Sequence, residues 1–260
     1  MRTEHAAAQP LDFLKLLAHD IRWQILLALS RSDHRVEELV KQIKQPYNLL
    51  SYHLKRLRQQ KLVTERRSSA DARDIYYSLN LNQFRQLYVE AGASLHPALS
   101  EPIQQSSAQA ESITAPPFRV LFLCTHNSAR SQMAEGLLRA LGGNKVEVFS
   151  AGSEPTSIHP LAVKAMSSRG IDLTTHRSKH LKEFLGEDFD HVITVCDRVR
   201  ESCPVFPGDP EQIHWSFPDP AAIEGDLGTQ EKGFEDTARE LTNRIQYLLL
   251  LIDRAQKGKR

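Results

Sequence analysis

The chain has 260 residues, 40% hydrophobic and 25% charged, with a net charge of +1. That composition excludes a disordered or collagen-like polymer, and no apolar run approaches the ~20 residues a helix needs to cross a bilayer. The length suits two domains, each able to bury its own core. The opening Met1-Arg2-Thr3-Glu4-His5 lacks the apolar centre of a secretion signal, so a cytoplasmic protein without a membrane partner is expected.

In the first part of the chain, Leu11, Leu14, Leu17 and Ala18 recur at helical spacing, as do Ile21, Ile25, Leu26 and Leu29. A short helix is expected over Val36 to Ile43, broken by Gln45-Pro46, and a longer one from Tyr47 to Gln60 with Leu50, Leu54 and Leu57 on one face. Leu62 to Arg67 and Ile75 to Leu79 read as strands around a polar turn, and a last helix covers Asn82 to Ala93. From Leu95 to Pro117 the chain is rich in Pro, Ser, Gln and Ala without apolar periodicity, which reads as a flexible linker. Beyond it strands alternate with helices. The strands are Arg119 to Leu123, Val146 to Phe149, His191 to Val195 and Ile213 to Trp215. The helices are Ser131 to Leu141, Pro160 to Arg169 and Phe234 to Ala255. The expected architecture is a mainly α winged helix-turn-helix domain over 1–94, a linker over 95–117, and an α/β domain over 118–260 with a parallel four-stranded sheet flanked by helices.

Charge is unevenly spread. Residues 1–95 hold 15 Lys and Arg against 10 Asp and Glu, and residues 41–73 hold 9 against 2. A basic centre points to a polyanion. The helix from Tyr47 would enter a major groove, presenting Asn48, Ser51, Tyr52, Lys55 and Arg58, while Arg66, Arg67 and Arg73 of the hairpin would rest on the DNA backbone. His53 is open to a blander reading, stacking on a neighbouring side chain. The segments LAHDIRWQILLALS and LLSYHLKRLRQQKLV resemble the ArsR/SmtB family of dimeric repressors. The resemblance implies a homodimer formed through this domain on a two-fold symmetric double-stranded DNA operator. Metal-sensing members carry paired cysteines or a His/carboxylate set. Neither His34 to Leu39 nor Asn82 to His96 provides one, so no metal is expected.

The three cysteines, Cys124, Cys196 and Cys203, all lie in the second half, an odd number that argues against a disulfide framework. Cys124-Thr125-His126-Asn127-Ser128-Ala129-Arg130-Ser131 is a C-x5-R-S loop between a strand and a helix. The backbone N–H groups of such a loop converge on a tetrahedral oxyanion at a helix N-terminus. Arg130 supplies a planar fork for two oxygens, and the same field is expected to lower the Cys124 pKa. Ser131 can donate to the Cys124 sulfur, and Asp219, between Pro218 and Pro220, is a candidate general acid.

Loop and Asp-Pro together resemble the low-molecular-weight tyrosine phosphatase fold. The further pair Cys196-Asp-Arg-Val-Arg-Glu-Ser-Cys203 resembles thioredoxin-coupled arsenate reductases over residues 118–256. That resemblance implies arsenate as substrate, a relay from Cys124 through Cys196 to Cys203, and thioredoxin as electron donor with no bound cofactor. It also implies a supporting site at Asn127, Glu135 and Ser150, where some members bind potassium with an added Asp. This chain has Lys179 at that place, and its ammonium is expected to pair with Glu135 and bond Asn127 and Ser150. Two alternatives stay open: a phosphotyrosine phosphatase fused to a regulator, and a repressor whose second domain only senses oxyanion or redox state.

Overall fold

The computed structural model describes residues 3–96, 99, 116–201 and 204–258, with side chains from 10 to 256. It contains two compact units, one within Met1–Ser112 and one within Ile113–Arg260. Residues 97, 98 and 100–115 of the expected linker, and Cys203 of the second unit, lie outside the described residues.

The first unit runs α1 (Thr3–Leu17), α2 (Asp20–Arg31), β1 (His34–Arg35), α3 (Val36–Ile43), α4 (Tyr47–Gln59), β2 (Val63–Arg67), β3 (Ile75–Leu79) and α5 (Leu81–Leu95). Local chemistry sets the breaks. His19 Nδ1 accepts from Ile21 N at 3.2 Å and caps α2. Lys44 turns left-handed at φ 57° to end α3, and Asn80 Oδ1 accepts from Gln83 N to start α5. Ile25, Leu29, Leu39, Leu50, Leu54 and Leu57 form the core on which the helices meet. The sheet is antiparallel with order β1-β3-β2. Strand β1 has only two residues, too few to show alternation in the sequence.

The second unit runs β4 (Phe118–Cys124), α6 (Arg130–Gly142), β5 (Val146–Gly152), α7 (Pro160–Ser167), β6 (His191–Thr194), α8 (Asp197–Glu201), β7 (Glu211–His214) and α9 (Leu227–Gly258). The strands are parallel in the order β5-β4-β6-β7. Leu121, Phe122 and Leu123 of β4 have no exposed surface, the continuous apolar run of a strand covered on both faces. Cys124 ends β4 and Cys196 follows β6, so both thiols stand at the carboxyl ends of neighbouring strands, where open α/β sheets bind ligands.

Helix α9 starts at Leu227 rather than Phe234. Asp226 Oδ1 accepts from Thr229 N at 2.8 Å and caps it. Gly228 and Gly233, poor helix formers, mask its first turns in the sequence. A Cβ on Gly233 would stand 2.1 Å from Ile223 Cδ1, so glycine is there to admit that side chain.

Candidate functional site

The loop from Thr125 to Ala129 joins the end of β4 to the first turn of α6. Asn127 is its keystone. It has no exposed surface and a left-handed backbone with φ 47°, a conformation Asn tolerates better than most residues. Its backbone N–H donates to Cys124 Sγ at 3.1 Å. Its Nδ2 donates at 2.8 Å to both Ser131 Oγ and Ser150 Oγ, and its Oδ1 accepts from Gln132 Nε2 at 2.9 Å and Lys179 N at 2.8 Å. The four side-chain contacts fix the amide orientation. Because Ser131 Oγ already accepts from Asn127, its own proton is left for Cys124 Sγ, 2.8 Å away.

An outer strap holds the loop. Glu154, Thr156 and His159 donate backbone N–H groups to the carbonyls of Thr125, His126 and Ser128 at 2.9, 3.0 and 2.9 Å. Ser178 Oγ donates to Asn127 O at 2.8 Å. With the carbonyls so occupied from outside, the loop is held in the form in which backbone N–H groups can serve an oxyanion. Gly152, beside Cys124 in the β4–β5 register, admits this packing: a Cβ there would lie 2.5 Å from Thr125 O and 2.8 Å from Asn127 N.

Arg130 is 7% exposed. Its Nη2 lies 2.9 Å from Asp219 Oδ2, and its Nη1 donates to Phe217 O at 3.1 Å. Asp219 also accepts from Ala221 N at 3.1 Å and so starts the short turn Pro220–Ala222. The fork and the expected acid are therefore joined in one ion pair. Cys196 is buried beside the loop, its Sγ 3.4 Å from Thr125 Oγ1.

Two expectations are corrected. The Cys124 thiol is pushed up, not down: burial is the largest cause and the neighbouring Cys196 adds to it, outweighing Arg130 and Ser131, which pull the other way. Part of the Arg130 charge is already matched by Asp219. The second correction concerns Lys179. Its ammonium meets Glu135 Oε2 at 3.1 Å and Arg177 O at 3.3 Å, but not Asn127 or Ser150. Asn127 is reached by the Lys179 backbone N–H, and Ser150 Oγ donates to Glu135 itself. Burial raises the Glu135 carboxyl, but Lys179, Ser150 and Arg139 outweigh it and the net shift is downward. A potassium ion does not fit here, because the ammonium already stands against the carboxylate. Among the described residues no group of three His, Cys, Asp or Glu could hold a metal.

In the first unit α4 exposes Asn48, Tyr52, Lys55 and Arg58, with Ser51 half-buried. Arg58 pairs with Glu65 of β2, and Arg73 pairs with Asp71 in the turn, at 2.6 Å, so part of their charge is matched within the domain. Arg67 is exposed and donates to Ala72 O at 2.9 Å, while Arg66, half-buried, donates to Arg67 O at 2.6 Å. His53 is buried and packs against His19 with ring centroids 4.4 Å apart and the rings tilted by 51°, which makes it a packing residue.

Residues 119–258 match the low molecular weight phosphotyrosine protein phosphatase family. The chain belongs to that family. Residues 19–65 further match the arsR family of bacterial regulatory proteins. Among relatives of the phosphatase-family part, a protein of Halalkalibacterium halodurans named arsenate reductase is 39% identical over 127 residues, 49% of this chain and 91% of its own. An arsenate reductase of Bacillus subtilis is 37% identical over the same shares. A solved arsenate reductase in an oxidized state aligns with 52% of this chain and 98% of its own at 30% identity and a TM-score of 0.46.

Several residues of this phosphatase-family site gave no signal in the sequence. Gln132 and His176 are linked at 3.0 Å, His176 meets Arg139 at 3.2 Å, and Arg139 also donates to Glu135, so they brace the loop from beneath. Gln132 directly follows the C-x5-R-S loop and could have been suspected. His176 lies far along the chain, and only the fold brings it there.

Proposed function

We propose that this protein is an arsenic-resistance regulator fused to an arsenate reductase, with a winged DNA reader followed by a three-thiol redox enzyme. The observation that carries the reading is the second buried thiol, Cys196, beside the oxyanion loop of Cys124. Phosphoester hydrolysis needs only the first thiol, whereas reduction of arsenate needs a second to take over the sulfur.

Arsenate enters the loop and competes with Asp219 for the Arg130 fork. The Cys124 thiol gives up its proton and attacks arsenic as the thiolate, an S–As bond forms, and that proton, carried by the released Asp219, goes to the departing hydroxyl, which leaves as water. The Cys196 thiolate then attacks Cys124 Sγ. The S–As bond breaks, its electron pair stays on arsenic, and arsenite departs with arsenic reduced from the +5 to the +3 state. The Cys203 thiolate attacks Cys196 Sγ and frees the Cys124 thiolate. An external dithiol of the thioredoxin type returns two electrons by exchange. Seven residues of helix span ~10.5 Å, whereas a disulfide holds Cα atoms ~4.4–6.8 Å apart. If helix runs the whole way from Cys196 to Cys203, it must unwind as the bond passes to Cys203; Asp197–Glu201 within that stretch is helical.

In the first unit, the exposed Asn48, Tyr52 and Lys55 of α4 support a DNA-reading face, with Ser51, Arg58 and the wing arginines Arg66, Arg67 and Arg73 beside it. Leu11 and Leu14 on α1 and Tyr88 and Leu95 on α5 are exposed apolar side chains, which suits a homodimer built through these helices.

The deciding experiment is arsenate turnover with thioredoxin and its reductase for the unmodified chain and for Cys124→Ser, Cys196→Ser and Cys203→Ser. Turnover only with all three thiols supports the relay. The family match favours one other reading, phosphatase action on a phosphorylated protein. Steady phosphoester hydrolysis by Cys196→Ser, with no arsenate turnover by the unmodified chain, would establish it instead.

A further inference from the structure

Behind the second thiol lies a cluster of polar side chains that the relay itself does not use. Asp197, the first residue of α8, has no exposed surface. His214 is 2% exposed, and Thr194 and Ser216 are 5% exposed. A carboxylate so deeply buried is costly unless donors match it. Here they do: Ser216 Oγ donates to Asp197 Oδ1 at 2.9 Å, and His214 Nε2 faces the same oxygen at 3.1 Å. A carboxylate only accepts, so Nε2 carries a proton. On the other side of the ring, Nδ1 meets Thr194 Oγ1 at 2.8 Å, which orients the imidazole.

The cluster joins parts of the site that the chain keeps far apart. Thr194 ends β6 and His214 ends β7. Ser216 opens the segment whose Phe217 carbonyl holds Arg130 and whose Asp219 pairs with it. Asp197 is the residue after Cys196, whose Sγ stands 3.4 Å from Thr125 Oγ1 in the oxyanion loop. Fixing Asp197 therefore fixes Cys196 relative to the loop and to the acid segment at once.

We propose that Asp197 and His214 are positioning residues for the second thiol. They hold Cys196 in place to attack Cys124 Sγ. The inference rests on the three-thiol reading of the site. A role in stability alone would leave the approach of the two sulfurs unchanged in any variant that still folds.

The test isolates that approach in a Cys203→Ser background, where Cys124 and Cys196 are the remaining thiols. Diamide, a diazene dicarboxamide, accepts two electrons and two protons as these thiols join, and the disulfide is timed by mass spectrometry. Asp197→Ala is expected to slow cross-linking about 10- to 100-fold, the usual cost of misplacing reacting groups. Asp197→Asn keeps an acceptor for His214 and Ser216 and should stay within about threefold of the parent. An Asp197→Ala chain that cross-links at the parent rate, or an Asn variant as slow as the Ala variant, overturns the proposal. Should Asp197→Ala not fold, Thr194→Val removes only the hydroxyl that orients His214. Slowing by more than about threefold supports the anchor, and a rate within that margin of the parent overturns it. Arsenate turnover of the unmodified chain is measured alongside. Its absence sinks the three-thiol reading, while the cross-linking rates still judge the anchor.

Discussion

Replacing Lys179 by Met tests whether an ammonium does the work of a cation beneath the loop. The Glu135 side chain is 5% exposed and that of Lys179 13%, and their charged atoms are 3.1 Å apart. Removing one partner of a buried pair costs about 3–5 kcal/mol when the other charge is left alone. Glu135 is not left alone, because Arg139 holds its second oxygen at 2.5 Å and Ser150 donates to the first. These partners offset part of the loss, only part because the Arg139 side chain is half exposed and screened by solvent, which leaves about 2–3 kcal/mol. For a unit of this size that lowers the melting transition by roughly 6–12 °C.

Calorimetry of the full chain reads the shift, with the transition of the DNA-binding unit as internal reference. The pH dependence has a definite sign. The folded Glu135 carboxyl is held below its ordinary value, so its stabilisation is complete above the ordinary glutamate range and is lost as pH falls through the depressed value. Lys179→Met should move that acid loss to higher pH. Potassium should leave the unmodified chain unchanged and restore part of the variant's stability. A loss under about 1 kcal/mol, or marked stabilisation of the unmodified chain by potassium, would refute the reasoning.

Three further outcomes follow from the geometry. Gly152→Ala puts a Cβ 2.5 Å from Thr125 O, so the loop must shift. Calorimetric titration with phosphate should show affinity reduced at least about tenfold, at an overpacking cost of about 1–3 kcal/mol, and unchanged affinity would show the loop to be more pliable than this packing implies. Iodoacetamide should alkylate Cys124 slowly at neutral pH and faster as pH rises beyond the ordinary thiol range, because burial and Cys196 push the thiol up. A rate that has already levelled off at pH 7, read by peptide mapping, would contradict that shift. In the DNA-binding unit, Lys55→Ala should weaken binding similarly across sequences and reduce the slope of log affinity against log salt by about 0.9. Fluorescence anisotropy over a salt series checks this, and an unchanged slope would remove Lys55 from the contacts.

Much of the fold was legible because its signals are local. The leucines of α4 recur at helical spacing, Pro46 marks a helix boundary, and the apolar run of β4 announces a strand. The C-x5-R-S loop could be read for the same reason, since the residues that make it are neighbours in the chain. The harder features had no local signature. Strand β1 is too short to alternate, and the start of α9 is hidden by two glycines.

The sequence by itself determined which groups are available: three thiols confined to one half, an arginine fork, an acid between prolines, and a basic helix and wing. The tertiary structure decided how those groups act on one another. It buried Cys124 deeply enough to raise its thiol rather than lower it, and it tied Arg130 to Asp219. It set Lys179 against Glu135 and placed Asp197 and His214 behind Cys196. The physical reason is that burial and charge pairing depend on distances between residues far apart in the chain. Only the packed sheet and its crossovers set those distances.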